Sequence, residues 1–181
     1  MGGARLLFAI SIMLWSLASP CAEARVFYSK QEALRVAFPE ADTVDKQIFF
    51  LTDEQVKRVE GLARSRLESK LATFYIGKTD GEITGYAMID IHTVRTLPEA
   101  LMVVLSPTGE VVSTVVLAFY EPPEYLSSDR WLKQFDQKAL TPDLWMGRDI
   151  AAITGATLSV HAVTRAVRRI LALYQVLIAG R

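Results

Sequence analysis

Apolar residues recur at three- and four-residue spacing near the end of the chain: Val160, Val163, Val167, Ile170, Leu171, Tyr174 and Leu177. That period places them on one face of a long amphipathic helix. His161, Thr164, Arg165, Arg168 and Arg169 fall largely elsewhere on the wheel, and the three arginines read as a solvated face. Upstream the pattern changes to strands. Leu71 to Ile76 and Ile83 to His92 flank Gly77-Lys78-Thr79-Asp80-Gly81, whose Asp-Gly pair marks a hairpin turn. Glu99 to Leu105 and Val111 to Tyr120 flank Ser106-Pro107-Thr108-Gly109, a second hairpin signal. These four runs with short turns predict a twisted antiparallel sheet. Earlier still, Ser29 and Glu32 form a capping-box pattern for a short helix that Pro39 stops. Lys46 to Leu51 reads as a strand, and Asp53 as the cap of a helix to about Ser65 that buries Val56, Val59 and Leu62. Helix and strand, then a meander, then helices make an α+β fold with helices flanking the sheet.

The first residues follow a different logic. Arg5 precedes an apolar run from Leu6 to Leu17, and Ala22-Glu23-Ala24 has the Ala-x-Ala form of a signal-peptidase site. The run is shorter than the roughly twenty apolar residues a spanning helix needs. Residues 1–24 are therefore expected to be a signal peptide, cleaved after Ala24 to leave Arg25 first and the protein exported, periplasmic or otherwise extracytoplasmic. Lipidation at Cys21 and an uncleaved anchor are the alternatives; Pro20 sits where a lipidated cysteine is usually preceded by a small residue. What remains, 25–181, is long enough for a single domain. Residues 25–70 read as scaffold without chemistry, and 71–181 as the core.

Charge and side-chain inventory narrow the chemistry. Lys and Arg total 20, as do Asp and Glu, and no basic block stands out, which argues against a nucleic-acid partner. Cys21 is the single cysteine and His92 and His161 the two histidines. A chain cleaved after Ala24 has no cysteine for a disulfide, an iron–sulfur cluster or c-type haem. The two histidines lack metal-ligand spacing, and no metal is expected. If the protein moves electrons, a cofactor must supply the redox centre.

One stretch offers a place for it: Asp149-Ile150-Ala151-Ala152-Ile153-Thr154-Gly155-Ala156-Thr157-Leu158-Ser159. Small residues enter the N-terminus of the long helix, where unpaired N–H groups and the dipole favour a phosphate. On the residues alone, Thr154 or Thr157 could equally be a helix N-cap and Gly155 a turn residue. The stretch resembles the flavinylation motif of the FMN-binding domain family: Asp, a few residues, Ser or Thr, Gly, Ala, Thr, any residue, Ser or Thr. That family includes the flavin subunits of sodium-pumping NADH–quinone reductases and of Rnf-type complexes, and many small exported flavoproteins. The likeness runs from about Leu71 to the C-terminus.

The resemblance implies FMN held covalently on Thr157 by a phosphoester and donated from FAD by a flavin transferase. Thr154, Gly155, Ala156 and Ser159 would surround it, and Asp149 would serve recognition by the transferase. His92-Thr93-Val94-Arg95-Thr96-Leu97-Pro98-Glu99 is similar to a stretch before the core strands of exported members. There His92, Arg95 or Glu99 could meet the flavin ring, or Arg95 and Glu99 could form a surface pair of little energy. Phe119-Tyr120-Glu121-Pro122-Pro123-Glu124-Tyr125-Leu126 resembles the family's Glu-Pro loop, which shields the ring, with Glu121 as a contact. Ser127, Ser128 and Asp129 then read as the N-cap of a short helix that packs Trp131, Leu132 and Phe135. Trp145-Met146-Gly147 could line one wall. The expected protein is an exported electron-transfer flavoprotein, a carrier or subunit rather than a stand-alone enzyme. Its partners would be a transferase and unidentified electron donor and acceptor proteins, with a membrane redox complex as one candidate. The alternatives are an unmodified binding domain of the same fold, or a hydrolase using Thr157 or Ser159, for which no Gly-x-Ser-x-Gly elbow is present.

Overall fold

The computed structural model describes residues 25–153 and 155–180. The expected signal peptide, Cys21 and Thr154 lie outside them. In chain order the elements are β1 (Arg25–Val26), α1 (Lys30–Ala37), β2 (Thr43–Phe50), α2 (Asp53–Ala63), β3 (Leu71–Thr79), β4 (Glu82–Thr93), β5 (Pro98–Leu105), β6 (Val111–Phe119), α3 (Asp129–Leu132) and α4 (Thr157–Tyr174). One six-stranded antiparallel sheet runs β1-β6-β5-β4-β3-β2. It adds two strands to the four-strand meander. β2 joins one edge, beginning at Thr43 rather than Lys46, because all eight of its residues find partners on β3. β1 lies on the other edge beside Phe119 and Ala118.

Both faces of the sheet are covered at β5, which reads as an uninterrupted apolar run from Ala100 to Leu105. Leu101, Val103 and Leu105 point to α4, where they join Val160, Val163, Val167 and Ile170. Met102 and Val104 point the other way, to Ala33 and Phe38 at α1. Each such side chain withdrawn from water contributes about 1.5–3 kcal/mol, and this apolar stripe fixes α4 across the sheet.

The local signals act as side-chain chemistry requires. Ser29 and Glu32 close the capping box at α1. At α2 the cap is Thr52, not Asp53: its hydroxyl accepts from Gln55 N at 3.2 Å while Gln55 Oε1 accepts from Thr52 N at 2.9 Å. The Ser/Thr-x-x-Glu/Gln box lies one residue before the acid, and Asp53 instead pairs with Lys70 at 2.5 Å. Asp80 and Gly81 turn the first hairpin with φ of 52° and 83°, the left-handed pair of a two-residue turn. Ser128 caps α3 by accepting from Trp131 N at 3.3 Å.

Candidate functional site

Gly155, at φ +84°, turns the chain into α4. A left-handed conformation of this kind strains any residue with a Cβ. Ala156 follows as the cap position, with no side-chain hydrogen bond, and Thr157 is the first helical residue. Thr157 is exposed. Its hydroxyl is therefore not a cap, and among the described residues no side chain accepts from the first amides of this 18-residue helix. The amides and the positive end of the dipole are open to an anion. Ser159, two residues on, is fully buried and donates to Tyr125 O at 2.5 Å. Of the two hydroxyls, only Thr157 faces solvent.

Asp149 reaches this end by a looped path. Gly147, at φ +80°, and a bridge between Met146 and Ile150 shape the loop. Ile150 is fully buried while Asp149 is exposed. The Asp149 amide donates to Asp143 O at 3.2 Å, and its carboxylate makes no hydrogen bond or ion pair among the described residues.

The polar groups expected around a flavin divide into two sets. Glu121, 4% exposed, turns its Oε1 to the β4–β5 turn. That oxygen accepts the amides of Arg95 at 3.1 Å, Thr96 at 2.5 Å and Leu97 at 2.7 Å. Burial pushes its pKa up, but those amide hydrogen bonds prevail and hold it below the usual glutamate value. Glu121 thus clamps the turn to the end of β6. Arg95 does not pair with Glu99. It is exposed, donates to Tyr125 Oη at 3.1 Å and lies 5.5 Å from that ring's centre. The surface Arg95–Glu99 pair fails because Glu99 is a strand residue, 1% exposed and opposite His92.

His92 belongs to the second set, beneath α4. Its Nδ1 meets Asp90 at 2.9 Å and its Nε2 meets Glu99 at 3.2 Å. Burial opposes the imidazolium, but the hydrogen bonds and charges of both acids raise its pKa to about 9. Asp90 in turn is gripped by Arg169, Nη2 at 2.6 Å and Nε at 3.0 Å. Two cations and two anions therefore sit together at the end of β4.

The three arginines of α4 do not share one solvated face. Arg165 is exposed, Arg169 is tied to Asp90, and Arg168 is 2% exposed. Arg168 donates to four carbonyls: Leu62 at 2.8 Å, Ala63 at 3.1 Å, Thr141 at 2.7 Å and Leu144 at 3.0 Å. Its guanidinium lies 5.3 Å from the ring centre of Trp145. A planar five-donor fork can satisfy carbonyls that nothing else reaches, so the charge is buried without a carboxylate.

Beside His92 a groove of about 640 Å³ opens between α4, the end of α2 and the end of β4. Leu158, His161 and Arg165 line one side, and Arg64 and Arg66 the other. The second wall comes from the stretch read as scaffold, and only the fold brings it to α4. His161 stands 6.4 Å from the ring of half-buried Trp145, so Trp145 braces the groove from behind rather than lining it.

No curated protein matches the chain. Residues 98–172, from the first residue of β5 to the last full turn of α4, match the model of the FMN-binding domain. The open helix end, the groove and the sheet that carries them all involve this matched segment, which is similar to the FMN-binding domain.

Proposed function

We propose that the protein is exported and transfers electrons through FMN bonded to Thr157. One observation carries the reading: Thr157 is an exposed hydroxyl on the first residue of an 18-residue helix with no side-chain cap among the described residues, directly after a left-handed glycine turn. The residues fit the group. The free amides suit a phosphate, and Gly155 and Ala156 leave room for it. Attachment is balanced with FAD as donor. Thr157 Oγ1 attacks the phosphorus on the flavin side, the pyrophosphate bond breaks, AMP departs, and the hydroxyl proton passes to a base of the transferase. Threonine is a weak nucleophile, which is why an external enzyme is needed. Exposed Asp149, in the loop before the site, is placed to meet that enzyme. Bound FMN supplies reversible one- or two-electron chemistry, and a covalent bond keeps it where free flavin is not replenished.

The test is co-expression with a flavin transferase, followed by intact mass and in-gel fluorescence after denaturation. The wild-type chain gains one FMN less water, whereas Thr157→Ala stays unmodified and folded. Because Thr157 is not a cap, that substitution costs less than about 0.5 kcal/mol. Flavin persisting on denatured Thr157→Ala would move the attachment to Thr154 or Ser159. A wild-type chain that remains colourless would favour an unmodified binding domain.

A further inference from the structure

We propose that the open edge of β6 binds a short extended peptide of a partner protein, one that carries a basic residue, as an added strand. This edge is independent of Thr157 and its attachment.

β6 is paired with β5 along its inner side, but β1 covers only Ala118 and Phe119 on its outer side. The reason is local. The Ser29 capping box turns the chain into α1 directly after Tyr28, so β1 cannot continue along β6. The amides of Phe27 and Tyr28 both close on Leu117 O, at 2.8 and 3.2 Å. At the other end Val111 is tied to the chain beyond α3, donating to Lys138 O at 2.9 Å and accepting from Gln137 N at 2.7 Å. Between these two stops no backbone group bonds to the outer side of β6 among the described residues. Register shifts bound the same stretch, and inside it Ser113 to Val116 pair one to one with Val104 back to Leu101. The gap from Val112 to Val116 measures roughly 13 Å, room for about four residues of extended chain.

A second groove of about 640 Å³ follows this gap, within the usual size of a binding site. Exposed Phe27 and Tyr28 form one wall, and Asp129, Lys133 and Asp136, from α3 and the turn after it, form the other. Thr114 and Ser127 also line it, 8% and 3% exposed, and their hydroxyls have no hydrogen-bond partner among the described residues. Buried polar groups are normally paired. A strand edge and two orphan hydroxyls call for donors and acceptors in alternation, which a peptide backbone supplies at that spacing. Neither Asp129 nor Asp136 has an ion pair among the described residues. With two acids to one lysine, the groove favours a Lys or Arg on the incoming segment. A second copy of β6 is a poor occupant, because it lies recessed between the same walls and brings the same acids. The helix end at Thr157 lies elsewhere: Trp131 and Gln134 reach Ala151 in the loop before it, while Asp129, Lys133 and Asp136 line the groove.

The probe is a pool of capped hexapeptides, random except for one central Lys, beside a matched pool with Glu there. Deuterium exchange of the full chain is followed with and without each pool. The Lys pool should slow exchange in 112–116 by about tenfold or more, and the Glu pool should not. Asp129→Lys combined with Asp136→Lys should invert that preference. N-methylation of the peptide amides removes donors without touching the protein, and should abolish the protection. Protection that survives methylation means docking by side chains and overturns the added strand. A stretch already protected in the free chain overturns it too, as does protection that grows with protein concentration alone, the mark of self-pairing. Absence of protection by the Lys pool at about 1 mM, the weak end of specific binding, also overturns it.

Discussion

His92 is a buried cation held between two acids, and its protonation is a term in stability. Its pKa is about 9 in the fold against an ordinary 6.5. The folded state therefore holds the proton more tightly than the unfolded chain. The stabilisation is complete below about pH 6.5 and is lost as pH rises through about 9. Melting temperature should fall across that window for the wild-type protein. His92→Gln should melt lower at pH 6 and show a flatter decline, so that the two curves converge above pH 9. Parallel curves would mean that His92 is neutral in the fold. Little of this was legible in sequence. His92 and Glu99 stand seven residues apart and read as parts of a polar connection, but both are strand residues, and antiparallel register sets them opposite each other. Arg169, which grips the Asp90 beside His92, comes from far along the chain. The turn at Gly155 and the helix start at Thr157 were legible because the stretch is contiguous and its backbone signals are local.

At the scale of elements, α4 is both the core helix and the mount of the site. Its period was plain from Val160 to Leu177, because burial against a sheet demands a stripe. Arg168 broke that reading. A guanidinium on such a stripe looks solvated until its carbonyl partners are known, and those lie 24 to 106 residues away. It joins the C-terminal end of α2 to the loop that leads to Asp149. Arg168→Met keeps much of the volume but strands four carbonyls, each costing about 1–3 kcal/mol when left unpaired. We expect a loss of about 3 kcal/mol or more in denaturant unfolding, with slower flavinylation as the loop loosens. Arg165→Met, on the exposed side, should change stability by less than about 0.5 kcal/mol. Equal losses in the two variants would contradict the role given to Arg168.

For the whole molecule, the α+β class and the central four-strand meander followed from alternating runs and turn residues. Of the outer strands, β1 spans only two residues, too few to form a pattern, while β2 was expected from Lys46 and only its first residues, exposed Thr43, Val44 and Asp45, were missed because their pairing depends on β3. Export belongs to this scale as well. N-terminal sequencing of the secreted protein should begin at Arg25, leaving the strand beside β6 intact. A secreted form starting at lipidated Cys21 would instead tether the protein to a membrane.

On the attachment and export proposed above, the exposure of Thr157 has a consequence for the protein's biogenesis. An acceptor atom outside the packed interior does not need the chain to open again once the core has formed. Folding and loading can then be separate events, in that order: a chain that crosses a membrane unfolded can settle first and receive its prosthetic group afterwards. The loading enzyme would need only a finished surface, with one helix end presenting the Thr157 hydroxyl.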